Sequence, residues 1–406
     1  MNFEDMINKP SEYLEKFLMK DNSYDISPLC ESDIELTVQK LFHNKLFNIC
    51  FSLGVMRCYH QSIGDLLNNP FKNSSILFNT IKPIKNEFLK SKTFDDVLNA
   101  TKKIVLPLIG NTTTNVTYTG LENLTNNDSY LFISNHRDIF MDAAIENMIL
   151  DSKKIKTSHI AIGSNLMNYP FFEEFSKLLK GFIVKRESHN SKRFLNNMKE
   201  LSEVIYEIRM THNNLWIANR EGRSKDGNDE CDSTVIHMLN MASNNKTITS
   251  AELLNKYNIV PVSISYEYDP CDKLKSWELY IKNKNKSYCK KPWEDLLNIY
   301  LGVYGFKGRV QVGFGKPIKI KDSFNKKEII NFVKQNVDNQ IFENYKLWPS
   351  NKLCDHLLDL KNPKGEEFKR IISKDKIIKK KYYGLKEECR PFFLNMYAKP
   401  VFNKLK

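Results

Sequence analysis

The sequence predicts an α/β domain, a mostly parallel sheet flanked by helices, set between helical N-terminal and C-terminal regions. Three observations lead there. Between residues 105 and 320, short apolar runs alternate with helical stretches, as they do when crossover helices bury both faces of a parallel sheet. On either side of that stretch, apolar residues recur at helical spacing instead. The third observation is size: 406 residues exceed one ordinary domain of about 100 to 200 residues. An apolar fraction of 41%, with 25 Phe and 18 Tyr, supplies a sizeable core, and 15 Gly with 14 Pro excludes a low-complexity or collagen-like chain. The division expected is 1-104 helical, 105-320 α/β, and 321-406 helical and basic.

The elements follow in order. From residue 11 to about 103, Leu14, Phe17 and Leu18, and later Ile81, Ile84 and Phe88, mark apolar helix faces. At Pro107 the pattern changes, and Val116 with Tyr118, then residues 130–133, read as strands separated by the turn-rich segment 124–129. Further strands are expected at 160–162, 181–184, 215–218, 259–266, 279–281 and 310–314. Past Lys321 the chain reads helical again, most clearly at 328–345, and no repeat of solenoid length is present.

Charge narrows the choice of partners. Lys and Arg number 61 against 48 Asp and Glu, a net +13, and residues 361–406 hold 14 bases and 5 acids, hence +9 of it. Such a balance favours anionic company. Nucleic acid is not expected, because zinc-finger spacing, an aromatic RNP pattern and a phosphate-cradling Gly-x-x-x-x-Gly-Lys loop are all missing. The eight cysteines never fall as Cys-x-x-Cys, so a reducing compartment is expected and no metal site is read. The start, Met1-Asn2-Phe3-Glu4-Asp5, has acids where a secretory signal carries bases. The charge-free run 104–121 contains Pro107 and seven Thr or Asn, so it cannot supply the roughly 20 apolar residues of a membrane helix.

Four blocks could carry chemistry. The densest, Ser134-Asn-His136-Arg-Asp138-Ile-Phe-Met-Asp142, lies between a strand and an apolar helical stretch, where α/β sheets place ligand sites. His136 near two carboxylates suits a general base whose imidazolium a carboxylate steadies. The same residues also fit an ordinary helix N-terminus, whose dipole favours acids. The second block, residues 215–227, is a strand followed by a charged turn holding Glu221, Gly222, Arg223 and Lys225. In an extended segment Arg223 and Lys225 project to one side and could meet one phosphate, although a solvated basic loop has the same composition. The third, 181–188, is a strand ending in Lys185 and Arg186, by itself a common surface pattern; the fourth, 259–267, reads as a buried core strand ending in Glu267.

In this order, NHRDIFMD (135–142), GFIVKR (181–186), REGRSKDG (220–227) and IVPVSISYE (259–267) resemble the four motifs of the glycerolipid acyltransferase family, which includes glycerol-3-phosphate and 1-acylglycerol-3-phosphate acyltransferases. The intervening SHIAIGSNL (158–166) is similar to the bacterial glycerol-3-phosphate branch, and GFGKPI (313–318) to the strand that closes the domain. Residues 116–124, LFISNHRDI (131–139) and NYKLWPSN (344–351) are most similar to bacterial 1-acylglycerol-3-phosphate acyltransferase-like proteins, and the resemblance spans roughly 105–350.

The resemblance implies an O-acyltransferase of phospholipid biosynthesis, moving an acyl group from acyl-CoA or acyl carrier protein to a glycerophosphate or lysophospholipid acceptor, with no further cofactor. His136 would be the base, and Lys185, Arg186, Arg223 and Lys225 would hold the acceptor's phosphate, with Glu221 and Gly222 shaping the turn. One departure stands out. The family has four residues between His and Asp, but here that position is Met141, so Asp142 lies one residue late. A one-residue shift turns a regular helix position by about 100°, so Asp142 reaches His136 only if the preceding turn absorbs the extra residue; Asp138 is the alternative partner. A non-catalytic basic membrane-surface protein with a decayed site is the competing reading. Residues 368–402, where bases accompany Ile371, Ile372, Ile377, Ile378, Phe392, Phe393 and Leu394, are expected to dock on an anionic membrane surface, or else to pack on the domain. The expected location is cytoplasmic, peripheral to the inner face of the membrane.

Overall fold

The computed structural model describes residues 24–59, 77–169, 171–185, 191–245, 248–291, 293–360 and 362–405. Leu14, Phe17, Leu18 and Arg186 lie outside the described residues. Seven strands occur among those described: β1 (Thr113–Thr119), β2 (Leu131–Ser134), β3 (His159–Gly163), β4 (Gly181–Val184), β5 (Leu215–Ala218), β6 (Ile259–Tyr266) and β7 (Gly308–Phe314). Two compact units divide the chain, one from 1–111 with 157–204, the other from 112–156 with 205–406.

The expected division at 104/105 and 320/321 follows chain order, whereas each of these units gathers segments distant in sequence. Residue 105 lies inside the helix Phe94–Thr112, which carries Pro107 in its interior. Proline has no N–H for the carbonyl four residues back and ordinarily breaks a helix at a cost of about 3 kcal/mol. Here the Tyr59 hydroxyl donates to the Lys103 carbonyl at 2.7 Å, so the acceptor that Pro107 leaves idle is satisfied from another helix.

In the first unit, the helices Ile34–His43, Lys45–Tyr59 and Lys82–Lys90 turn Ile34, Val38, Leu41, Phe47, Ile84 and Phe88 into one core. Ile84 and Phe88 are thus buried, as their spacing predicts. Phe42 and Phe51 meet edge to face at 5.0 Å, the arrangement that ring quadrupoles favour. Strands β3 and β4 pair in parallel, Ile160 opposite Gly181. A Cβ on Gly181 would lie 2.6 Å from the Ser176 carbonyl oxygen, so close packing accounts for that glycine.

In the second unit the strand order is β1-β7-β6-β2-β5, parallel except for the β6/β7 pair. Every residue of β6 is buried, which is why Ile-Val-Pro-Val-Ser-Ile-Ser-Tyr lacks alternation. Pro261 is tolerated because the antiparallel ladder to β7 begins only at Val262, opposite Phe314. The strand expected at 279–281 is instead part of the helix Asp272–Asn285. Trp277 and Tyr280, one helical turn apart, pack together on the core formed by Phe368, Ile372, Ile378 and Phe393. That core favours the second of the two expectations for 368–402, packing on the domain: Ile371, Ile372, Ile378, Phe393 and Leu394 are buried with Cys354, Leu357 and Tyr268, and Ile377 packs beside them. No helix among the described residues is long and apolar enough to cross a membrane.

Candidate active site

β2 ends at Ser134, but its ladder continues through a side chain. The Asn135 amide accepts from Ile264 N at 2.7 Å and donates to Ile264 O at 3.0 Å, replacing the next peptide of β2. The first residue after the strand is thereby locked to β6, and His136 follows at the strand's end.

Asp142, in the first turn of the helix Met141–Ser152, is the hub. Its Oδ2 lies 2.9 Å from His136 Nδ1 and accepts from Arg137 N at 2.6 Å and Asp138 N at 2.9 Å. Its Oδ1 accepts from the Tyr266 hydroxyl at 2.7 Å. This carboxylate is fully buried with every direction committed, so its geometry is over-determined. Tyr266 cannot ionise readily, since burial and then Asp142 push its hydroxyl up from the ordinary range.

The extra residue between His136 and Asp142 is absorbed by Asp138. Its Oδ1 accepts from Phe140 N at 3.0 Å and Met141 N at 2.9 Å, closing a side-chain turn that starts the helix. Asp138 is a cap rather than the partner of the imidazole. It is buried, and burial followed by the nearby Asp142 raises its carboxyl above the usual range. Lys307, also buried, is lowered by burial to about 8, an effect opposed by Asp138.

The turn after β5 meets the His loop through the backbone, with Ser224 N donating to His136 O at 2.7 Å. Gly222 holds φ +74° with open space where a Cβ would stand, so the left-handed backbone is its requirement. Arg223 is buried, and its Nη1 has no hydrogen-bond partner. Lys225 is differently placed: its ammonium pairs with Glu278, which also holds Lys282 at 2.8 Å, and burial lowers it despite Glu278. Glu221 is exposed. Lys185, in the first unit, pairs with Glu200 at 2.6 Å. Glu267 forms a two-point pair with Arg309 that clamps β6 to β7, a structural use.

Other residues at the site had no role assigned from the sequence, although Arg137 and Tyr266 stand inside the first and fourth motifs. The Arg137 guanidinium pairs with buried Asp229 and lies 5.3 Å from the Tyr345 ring centroid. Burial would lower Arg137, yet Asp229 together with Tyr345, Asp269 and Asp142 holds the guanidinium above its ordinary range. Trp216 of β5 meets the His136 ring edge to face at 5.5 Å. Tyr266 and Trp216 stand at the ends and middles of apolar strands, where aromatic residues read as core; only their pairing with β2 reveals them.

With Nδ1 turned to Asp142, Nε2 is the imidazole nitrogen left for chemistry, and the His136 side chain keeps 15% exposure. The arrangement is a carboxylate-oriented histidine whose loop is bonded to the turn that carries a buried guanidinium with one unsatisfied nitrogen. Among the described residues no group of three or more His, Cys, Asp or Glu is placed to hold a metal ion.

A family model described as Acyltransferase matches residues 115–265. No curated protein matches the chain. Among solved structures, the 1-acyl-sn-glycerophosphate (LPA) acyltransferase PlsC from Thermotoga maritima is similar, with 16% identity over 74% of this chain and 96% of that one. The TM-score is 0.37, too loose an overlap to bear on activity.

Proposed function

We propose, from the acyltransferase-family domain that this chain carries over residues 115–265, that it moves a fatty acyl group from acyl-CoA or acyl carrier protein to a hydroxyl of 1-acylglycerol 3-phosphate or glycerol 3-phosphate. One observation supports this reading above the others: despite the extra residue in the motif, Asp142 Oδ2 lies 2.9 Å from His136 Nδ1. A decayed site has no reason to keep that contact.

In the proposed reaction His136 Nε2 takes the proton of the acceptor hydroxyl as its oxygen attacks the thioester carbonyl. The tetrahedral intermediate collapses, the C–S bond breaks, and the imidazolium returns its proton to the departing thiolate. Asp142 keeps the ring in the productive tautomer and steadies the imidazolium, as an aspartate does in hydrolase triads. Arg223 supplies the unsatisfied donor for the acceptor's phosphate, a dianion that a guanidinium binds well. Lys225 could join only by leaving Glu278. Contact with an anionic bilayer, at the inner face of a membrane, would be electrostatic, through the bases of 361–406 rather than through an apolar face.

The test is thiol release by purified protein, with one long-chain acyl-CoA or acyl carrier protein donor and a panel of glycerol 3-phosphate, 1-acylglycerol 3-phosphate and a lysophospholipid lacking a terminal phosphate. Release that depends on a phosphate-bearing acceptor is expected. Release with no acceptor dependence, or none at all, contradicts the reading.

A further inference from the structure

We infer that Lys275 is a positioning residue for the His136–Asp142 pair, held in register by Asp269 and by Tyr397 of the C-terminal helix. Arg137 immediately follows the base, and both of its peptide groups are tied. Its N–H goes to Asp142 Oδ2 at 2.6 Å, and its carbonyl accepts from Lys275 Nζ at 2.8 Å. The first bond places Asp142 under the imidazole. The second fixes the peptide that carries the first.

Lys275 is almost wholly buried, at 1% exposure, and its ammonium also pairs with Asp269 Oδ2. A buried ammonium is retained only where its donors are met, so its position follows those of its acceptors. Asp269 is itself held from the C-terminal region. Tyr397 OH accepts from Asp269 N at 2.9 Å and donates to Asp272 Oδ2 at 2.8 Å. Lys381 Nζ donates to Asp269 O at 3.0 Å and Asp272 Oδ2 at 2.7 Å. The helix Arg390–Asn403 reaches the basic turn as well: Asn403 Nδ2 donates to Gly227 O at 3.2 Å, and a Cβ on Gly227 would stand 2.4 Å from Met396 O. The segment expected to dock on a membrane thus braces the catalytic loop from behind, through a chain of buried polar contacts.

This inference rests on the acyl-transfer reading. Its test uses the full-length chain with Tyr397→Phe, Lys275→Met and Lys275→Arg, measuring kcat, both KM values and the melting temperature. Misplacement of a base by a remote change costs up to about 10² in rate, so Lys275→Met is expected to lose on the order of 10² in kcat and Tyr397→Phe roughly tenfold, with acceptor and donor KM unchanged. Lys275→Arg, which keeps the cation, is expected to recover part of the loss. Should Lys275→Met fail to fold, Tyr397→Phe, which removes one hydroxyl and keeps the ring, decides. A folded Tyr397→Phe with wild-type kcat, or a loss carried by KM alone, overturns the inference while leaving the function standing. A wild-type protein that transfers no acyl group to any acceptor overturns the function and this inference with it.

Discussion

At the scale of single residues, the two aspartates of the first motif have separable roles. Asp142→Asn replaces a carboxylate that accepts from His136, two backbone N–H groups and Tyr266 by an amide that must turn a donor toward one of them. Loss comparable to removal of the base, about 10² to 10⁴ in kcat, is expected. Asp138→Asn keeps an oxygen able to cap Phe140 N and Met141 N, and its kcat is expected to stay within a few-fold of wild type. Steady-state kinetics on the two variants check both. Arg223→Ala should weaken acceptor use by about 1.5 to 3 kcal/mol through acceptor KM, with donor KM unmoved; unchanged acceptor kinetics would place the phosphate elsewhere. His159 gives a pH prediction. Burial, then Lys180, lowers it to about 4, and its ring packs against Phe94. Its unfolded-state pKa is near 6.5, so between those values the unfolded chain binds the extra proton. Stability is therefore full above about 6.5 and falls as pH drops toward 4, by about 3 kcal/mol at most. Chemical denaturation at pH 7 and pH 4.5 should show a smaller drop for His159→Gln than for wild type.

At the scale of elements, the helix Glu294–Tyr304 bears directly on the His loop. A Cβ on Gly302 would stand 1.9 Å from Asp138 Oδ2. Helix propensity alone predicts that Gly302→Ala stabilises by about 1 kcal/mol, whereas overpacking against a buried side chain costs about 1 to 3 kcal/mol. The contact should prevail, so a lower melting temperature and a reduced kcat are expected; a more stable, fully active variant would show that Asp138 can move freely. The same scale shows what the sequence reveals. Buried runs such as 215–218 and 259–266 announce themselves because nothing but a covered strand tolerates them. Residues 279–281 mislead because three apolar side chains in a lysine-rich stretch match a short strand, and only Trp277 and Tyr280 facing one core settle it as helix. Pro107 misleads because Tyr59, 44 residues from Lys103, supplies the missing donor, and no local pattern contains that bond.

For the whole molecule, the C-terminal segment after Asn362 is structural. Cutting after Asn362 removes Phe368, Ile372, Ile378, Phe393 and Tyr397 from a core shared with Tyr268, Cys354 and Leu357. Each buried large apolar side chain contributes about 1.5 to 3 kcal/mol, so these five alone account for about 7.5 to 15 kcal/mol, as much as the roughly 5 to 15 kcal/mol that holds a typical protein together. The truncated chain should be insoluble or lack a cooperative melting transition in calorimetry; a soluble, cooperatively folded, active truncation would contradict this packing. Composition could show that 368–402 was both apolar and basic, but not which surface its apolar side chains meet, since both readings share one residue list. The site was more legible: His136, Asp142 and Arg223 stand in motifs whose chemistry is local. Tyr266, Lys275, Asp269 and Tyr397 were hidden, because their contacts cross 124 to 138 residues of sequence.

The central claim is that His136, oriented by Asp142, is the base for acyl transfer to a phosphate-bearing hydroxyl acceptor. Its most direct test compares thiol release by wild type and His136→Ala, with matched melting temperatures, at saturating long-chain acyl donor and 1-acylglycerol 3-phosphate. The account predicts robust wild-type release and a fall of about 10² to 10⁴ in the variant; a folded His136→Ala enzyme turning over at the wild-type rate would contradict it.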